Sequence, residues 1–402
     1  MTSTATLLTG ATLVSAAGAV AEGWLLLADG VIAATGTGSS GAAVARLAVG
    51  EGTPLTVVDV NGGIVTPGMI DLHCHGGGGA DVLDGPDAIA QAVAAHRGRG
   101  VTGSVLSVVT SDPADELRAL AEIADACDRV PGVLGSHLEG PFLAPARRGA
   151  HDPARLAIPD AARIEAQLAA ARGTLRQVTI APELPGALEA IRQYRAAGVV
   201  VAVGHTEAGY EQARAAFDAG ATLLTHTFNA MPGLGHREPG PIAAAIEDDR
   251  VTLEVIWDGL HVADAMAGLL LRAAPGRVAF VSDAMSAACA HDGDYLLGGL
   301  PVTVQDRAAR LTESGALAGS TLTLDRAVAR AVGFGIDPAS AVAAATATPA
   351  RVLGGAAGPV VLSAGAGTFE VGAQADVLLF GADWAVQGVW QTGVRVDGAD
   401  DS

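Results

Sequence analysis

The 402-residue sequence predicts an α/β fold: a (β/α)8 TIM barrel with a small β-sandwich domain formed by the N- and C-terminal segments. Three observations predict it. Strand-length apolar runs alternate with Ala-, Leu- and Arg-rich segments of helical spacing, several runs end on metal-ligating residue types, and both chain ends read as short strands between glycines. The runs lie at 69–72, 101–109, 133–138, 175–181, 199–204, 221–225, 251–257 and 278–282, nearly continuous in apolar residues as buried parallel strands are. His73 and Asp283, at the ends of the first and last, are 210 residues apart, or seven repeats of 30, the length of one strand, loop and helix. Segments Asp112–Val130, Pro159–Arg172, Pro185–Ala197, Glu207–Ala219 and Asp264–Ala274 supply helices, several opened by Ser, Asp or Pro.

The strand ends carry the chemistry. Side chains at i and i+2 share a strand face, so in His73-Cys74-His75 both imidazoles point one way and Cys74 the other, as a small core residue. Gly76–Gly79 then let the backbone turn sharply and approach a ligand. Glu139, His205, His226 and Asp283 end strands three, five, six and eight. A barrel builds its active site at the carboxyl ends of its strands. A single buried histidine is as often a satisfied core residue as a ligand, but these residues at barrel spacing point jointly to a metal centre. His137 is expected to support it by a hydrogen bond, and His96, His236 and His291 to lie on the surface or in loops.

Composition narrows the function. A net charge of −19 argues against nucleic acid or an anionic membrane as partner. Half the residues are hydrophobic, enough for one barrel, expected at 63–359, plus a smaller domain from 1–62 and 360–402. Trp24–Ile32 reads as a hairpin around Asp29-Gly30 and Gly367–Val396 as further strands. Gly36–Gly52 and Gly354–Gly367 read as loops, and Gly398–Ser402 as a frayed end. Cysteines 74, 127 and 289 form no disulfide framework, and neither signal peptide nor membrane span is evident, so a cytoplasmic location is expected. All 24 basic residues are Arg. With no Lys, a carboxylated lysine cannot bridge two metals, and Glu139 must take that place.

Taken with Pro67-Gly68-Met69-Ile70-Asp71 before it, the β-rich ends and Gln374-Ala375-Asp376, the His73-Cys74-His75 motif resembles the amidohydrolase superfamily. Five further motifs resemble its N-acetylglucosamine-6-phosphate deacetylases: His137-Leu138-Glu139-Gly140-Pro141-Phe142, Gly204-His205-Thr206, His226-Thr227-Phe228-Asn229-Ala230-Met231, Arg237-Glu238-Pro239-Gly240 and Ser282-Asp283-Ala284-Met285. The motifs occur in the family's order and span essentially the whole chain. The resemblance implies metal-dependent hydrolysis of the acetamide of N-acetylglucosamine 6-phosphate to glucosamine 6-phosphate and acetate, by a homodimer. Alternatives are the N-acetylgalactosamine 6-phosphate enzyme and a metal-binding scaffold without activity. Some family members carry Gln-x-Asn in place of His73-x-His75 and hold one metal, so the expected number is one or two per chain.

Imidazole and carboxylate donors suit zinc or iron. Glu139, His205 and His226 can hold one ion, and His73, His75 and Asp283 a second, with Glu139 between them. Asp283 is expected to carry the catalytic proton, and His261, in Asp258-Gly259-Leu260-His261, to face the oxyanion. The resemblance assigns the phosphate to Asn229, Ala230 and Arg237, the last reaching across a dimer interface. His151 is the other basic group near a family motif, whereas Arg147 and Arg148 read as a solvated loop pair. Ala316–Ser320 resembles the family's sugar-side loop, where Leu317 is expected to cover the acetyl group.

Overall fold

The computed structural model describes residues 5–50, 52–354, 362 and 365–396. Eight parallel strands, Met69–Cys74, Val101–Val109, Val133–Glu139, Leu175–Ile180, Val200–Val203, Leu223–Leu224, Thr252–Val255 and Val278–Phe280, pair in chain order. Beyond the ladder the two ends of the sheet meet: the Asp283 amide donates to the His73 carbonyl at 2.8 Å, and the His75 amide to that of Ala284 at 2.8 Å. The barrel therefore closes through residues that also carry the site. Strands five, six and eight are shorter than the apolar runs that predict them. Their ladders stop where the backbone leaves the extended region, at His205, His226 and Asp283, all with positive φ.

Helices cover the outside. Those expected from the sequence are observed as Pro113–Arg129, Ala161–Ala171, Ala187–Ala196, Tyr210–Ala219 and Asp264–Ala273, joined by Pro86–Arg97, Gly240–Glu247 and Leu324–Gly333. Their starts follow capping chemistry: the Asp160 carboxylate accepts from the Arg163 amide at 2.9 Å, and Pro86 and Pro113 occupy first-turn positions that need no N–H. The core between strands and helices holds fully buried Val, Ile and Leu with Phe142, Tyr194, Phe217, Trp257 and Phe280. Inside the barrel, polar side chains bond across the lumen: His137 bridges Ser107 Oγ (2.9 Å) and Thr179 Oγ1 (2.8 Å), and Thr179 meets Thr225 at 2.8 Å. His137 is thus hydrogen-bonded within the lumen, to Ser107 and Thr179 and not directly to a ligand-type residue. His96 does not lie on the surface. It is buried on the first helix with Nε2 2.9 Å from the Gly76 carbonyl, because the glycine turn folds back against that helix.

The chain ends form a second sheet from strands Ala5–Ser15, Gly18–Ala28, Val31–Thr37, Leu55–Asp59, Ile64–Pro67, Val377–Phe380, Val386–Gln391 and Val394–Val396. The first strand changes partner midway. Ala5–Thr9 pairs with Leu55–Asp59 and Thr12–Leu13 with Ile64–Val65, around a core of Leu8, Leu13, Leu25, Leu27, Val65, Val377 and Trp390. The expected boundary at 62 shifts: Ile64–Pro67 pairs with Val377–Phe380 in this sheet, so the chain enters the barrel after Pro67. The boundary at 360, most of Gly354–Gly367 and the end 398–402 lie outside the described residues. Asp29-Gly30 makes the expected hairpin turn, both at positive φ. Gly36–Gly52 is not all loop, since Gly41–Val49 is helical and Ala45 packs beneath Trp24. An antiparallel sheet of Gly293–Leu297, Leu300–Gln305 and Ala308–Leu311, absent from the sequence reading, intervenes between strand eight and the last barrel helix.

Candidate metal centre and catalytic cleft

Two ligand groups meet on Glu139. Its Oε1 lies 3.1 Å from both His205 Nε2 and His226 Nε2 and 3.3 Å from His73 Nε2, while Oε2 lies 3.1 Å from His75 Nε2. Asp283 Oδ1 is 3.4 Å from the Nε2 atoms of both His73 and His75. All six residues are buried. The sequence expectation that strands one, three, five, six and eight deliver one cluster matches this arrangement.

The donor set fits a metal on hydrogen-bond grounds. His75 donates Nδ1–H to the Ser107 carbonyl at 3.0 Å, and His205 donates Nδ1–H to the Arg147 carbonyl at 2.8 Å. A carbonyl only accepts, so in the neutral rings both Nε2 lone pairs face Glu139, a contact that repels unless a cation lies between. His205 Nε2 and His226 Nε2 are 2.9 Å apart. Tetrahedral zinc at about 2.0–2.1 Å from nitrogen brings its donors roughly 3.3 Å apart, close to these separations. Without an ion, the carboxylates draw positive charge onto the rings instead. Burial opposes charge on His75, yet hydrogen bonds to Asp283 and Glu139 lift its pKa to about 10. Burial would raise Asp283, but the neighbouring His73 and His75 hold it at about 2, and Glu139 likewise lies well below the usual carboxylate range. Two carboxylates in a dry pocket demand positive charge, which divalent ions would supply in place of protons on the rings.

The cleft above is lined by His75, Glu139, His205, His226 and Asp283 on its floor, and by Arg147, His151, Asn229, Ala230, His261, Leu297 and Leu317 around them. Most of the residues expected from sequence therefore converge. His151 sits deeper than expected. Its Nε2 is 3.4 Å from Glu139 Oε2 and its Nδ1 2.8 Å from Thr110 Oγ1, and burial, only partly offset by Glu139, brings its pKa down to about 4. Its ring is held neutral beside Glu139. Arg147, read as solvated, lines the cleft, because its carbonyl is tied to His205. Arg237 is exposed and lines a different groove with Glu207, Tyr210 and Pro232–Gly235.

His261 faces the cleft with Nδ1 2.7 Å from Asp258 Oδ2, and the same carboxylate caps the loop by accepting the Leu260 and His261 amides at 2.8 Å. Burial would raise Asp258; its hydrogen bond to His261 holds it low instead. Sequence reasoning expected His261 here but missed its pairing with Asp258, although Asp three residues before His in a strand-end loop was a readable signal. It also missed Glu254, fully buried on strand seven behind His73, a lone charge inside the apolar run Thr252–Ile256. Leu297 was missed because it arrives on the unexpected three-stranded sheet.

Comparison with known proteins agrees with this site. Residues 64–398 match the model of the amidohydrolase family. An N-acetylgalactosamine-6-phosphate deacetylase of Escherichia coli O157:H7 is 39% identical over 92% of this chain and 95% of its own length. The human N-acetylglucosamine-6-phosphate deacetylase is 34% identical over 85% of each chain. A mutant N-acetyl-D-glucosamine-6-phosphate deacetylase from Mycobacterium smegmatis, solved in complex with N-acetyl-D-glucosamine-6-phosphate, superposes with a TM-score of 0.88 at 40% identity, covering 98% of this chain and 99% of that one. A barrel whose strand ends gather four histidines and two carboxylates, matched along nearly its full length, places the chain in the amidohydrolase family.

Proposed function

We propose that the protein hydrolyses the acetamide of N-acetylglucosamine 6-phosphate to glucosamine 6-phosphate and acetate. The observation that carries this reading is the buried Glu139, shared by two histidine groups and open to a cleft that Asp283 and His261 also face. The similarity to deacetylases of amino-sugar phosphates over almost the whole chain supports the substrate class. One of these relatives is named for the galacto sugar, so the C4 epimer is the second reading.

His73, His75, Glu139, His205, His226 and Asp283 would hold the divalent ions, zinc or iron by donor type. Such an ion brings a water towards neutral pKa and polarises the amide carbonyl. The remaining steps belong to the chain. Asp283, at the cleft floor, accepts the proton of the attacking water and returns it to the amine nitrogen, which leaves only when protonated. Asp258 fixes the His261 ring so that its Nε2 meets the carbonyl oxygen as charge develops there. Leu317 and Leu297 close the apolar side of the cleft over the acetyl methyl. Ala230, on a loop bent through positive φ at Phe228 and Ala230, offers its backbone amide to the phosphate, and Asn229, whose own backbone amide donates to the His226 carbonyl at 3.0 Å, offers its side-chain amide. Arg237 would complete that subsite from a second copy in a homodimer, since in its own chain it lines another groove. The test is acetate release from the two sugar phosphates side by side, with the metal-loaded protein. Turnover of neither overturns the reading; a preference for N-acetylgalactosamine 6-phosphate replaces it with the second.

A further inference from the structure

Glu254 is a carboxylate with no exposed surface, set inside the barrel on strand seven. Its Oε1 accepts from Gln177 Nε2 at 2.8 Å, and its Oε2 accepts from the His226 amide at a long 3.3 Å. No arginine is among these partners. A buried carboxylate short of partners costs several kcal/mol, so the group that faces its second oxygen matters. Oε2 lies 3.6 Å from His73 Nδ1, just beyond hydrogen-bond length, and that buried nitrogen has no hydrogen-bond partner among the described residues. His73 can present its Nε2 lone pair to a metal only if Nδ1 carries the proton, and Glu254 is the acceptor placed to hold it there.

We infer that Glu254 is the positioning residue for a second metal ion, orienting His73 so that the His73, His75 and Asp283 group is filled alongside the Glu139, His205 and His226 group. The inference rests on the metal-centre reading above. Glu254 touches no substrate; it acts through the imidazole.

Purified protein stripped with chelator and titrated with Zn2+ alone tests it, with metal per chain read by elemental analysis and the melting temperature of the stripped form as the folding control. The parent is expected to bind two ions. Glu254→Gln should bind one with unchanged affinity and the other about 10–100-fold more weakly, while Glu254→Asp, which keeps the charge, should recover part of the loss. In a His73→Gln background Glu254→Gln should change nothing further, because the two residues act as one unit. Two ions held by Glu254→Gln as tightly as by the parent, an additive loss in the His73→Gln background, or a single ion in the parent would each overturn the inference. A parent that binds no Zn2+ would overturn the metal-centre reading itself. Should Glu254→Gln fail to fold, Gln177→Met leaves Glu254 in place but releases its anchor. A weaker second ion then supports the inference, and unchanged affinity overturns it.

Discussion

Asp283 holds two positions at once: its Oδ1 faces His73 and His75, and its backbone amide closes the barrel on the His73 carbonyl. Asp283→Asn keeps the size and the backbone bond but cannot carry a proton. Turnover should fall about 10²–10⁴-fold, with the melting temperature near that of the parent and the ion on Glu139, His205 and His226 retained. Activity within tenfold of the parent would remove Asp283 from proton transfer. At the other side of the cleft, His261 depends on Asp258. Asp258→Asn keeps a hydrogen-bonding side chain but loses the charge, so kcat should fall while KM changes little. A change confined to KM would make the pair a substrate-binding device instead.

Secondary-structure elements set the cleft's shape through close approaches that only small residues permit. Gly204 follows strand five, and a Cβ there would stand 2.7 Å from Thr225 Cβ and 2.8 Å from Thr179 Cγ2, inside the hydrogen-bonded lumen. Gly204→Ala should therefore destabilise by ~1–3 kcal/mol and, by displacing His205, weaken Zn2+ binding at the Glu139 side; thermal melts and Zn2+ titration read the two effects. The three-stranded sheet brings Leu297 to the cleft wall, and its turn packs on the barrel mouth at Gly298, which has a φ of +56° and room for a Cβ only 2.8 Å from Val109 Cγ1. Gly298→Ala should lift this turn from Val109 and raise KM with metal content unchanged. An unaltered KM would show that the sheet does not shape the substrate wall.

For the whole molecule, metal and subunit association are the two couplings to test. Ions that bind only the folded chain stabilise it by RT ln(1 + [L]/Kd), about 2.7 kcal/mol at a hundredfold excess over Kd. Chelation should lower the melting temperature, and Zn2+ should restore it. A neutral replacement of Arg237 leaves a dianionic substrate facing an acidic protein. Arg237→Ala is expected to raise KM strongly for N-acetylglucosamine 6-phosphate and barely to affect unphosphorylated N-acetylglucosamine. If the arginine serves a second copy, mixing Arg237→Ala with Asp283→Asn protein restores partial activity, since one site of the hybrid keeps both groups. No recovery after demonstrated subunit exchange would place its action elsewhere.

The sequence by itself determined the barrel, the order of its strands and the six ligand-type residues. Period and residue type are local properties, and a parallel barrel places every strand's carboxyl end on one face. It also excluded a lysine between the two ligand groups, because the chain has none. Only the tertiary structure decided what each side chain touches. His151 proved to be a neutral neighbour of Glu139 and Arg147 a wall of the cleft, while His96 lies buried behind the glycine turn and Glu254 behind His73. These contacts join residues 12 to 181 positions apart, and their energies depend on burial and on the partner's charge, which spacing along the chain does not record.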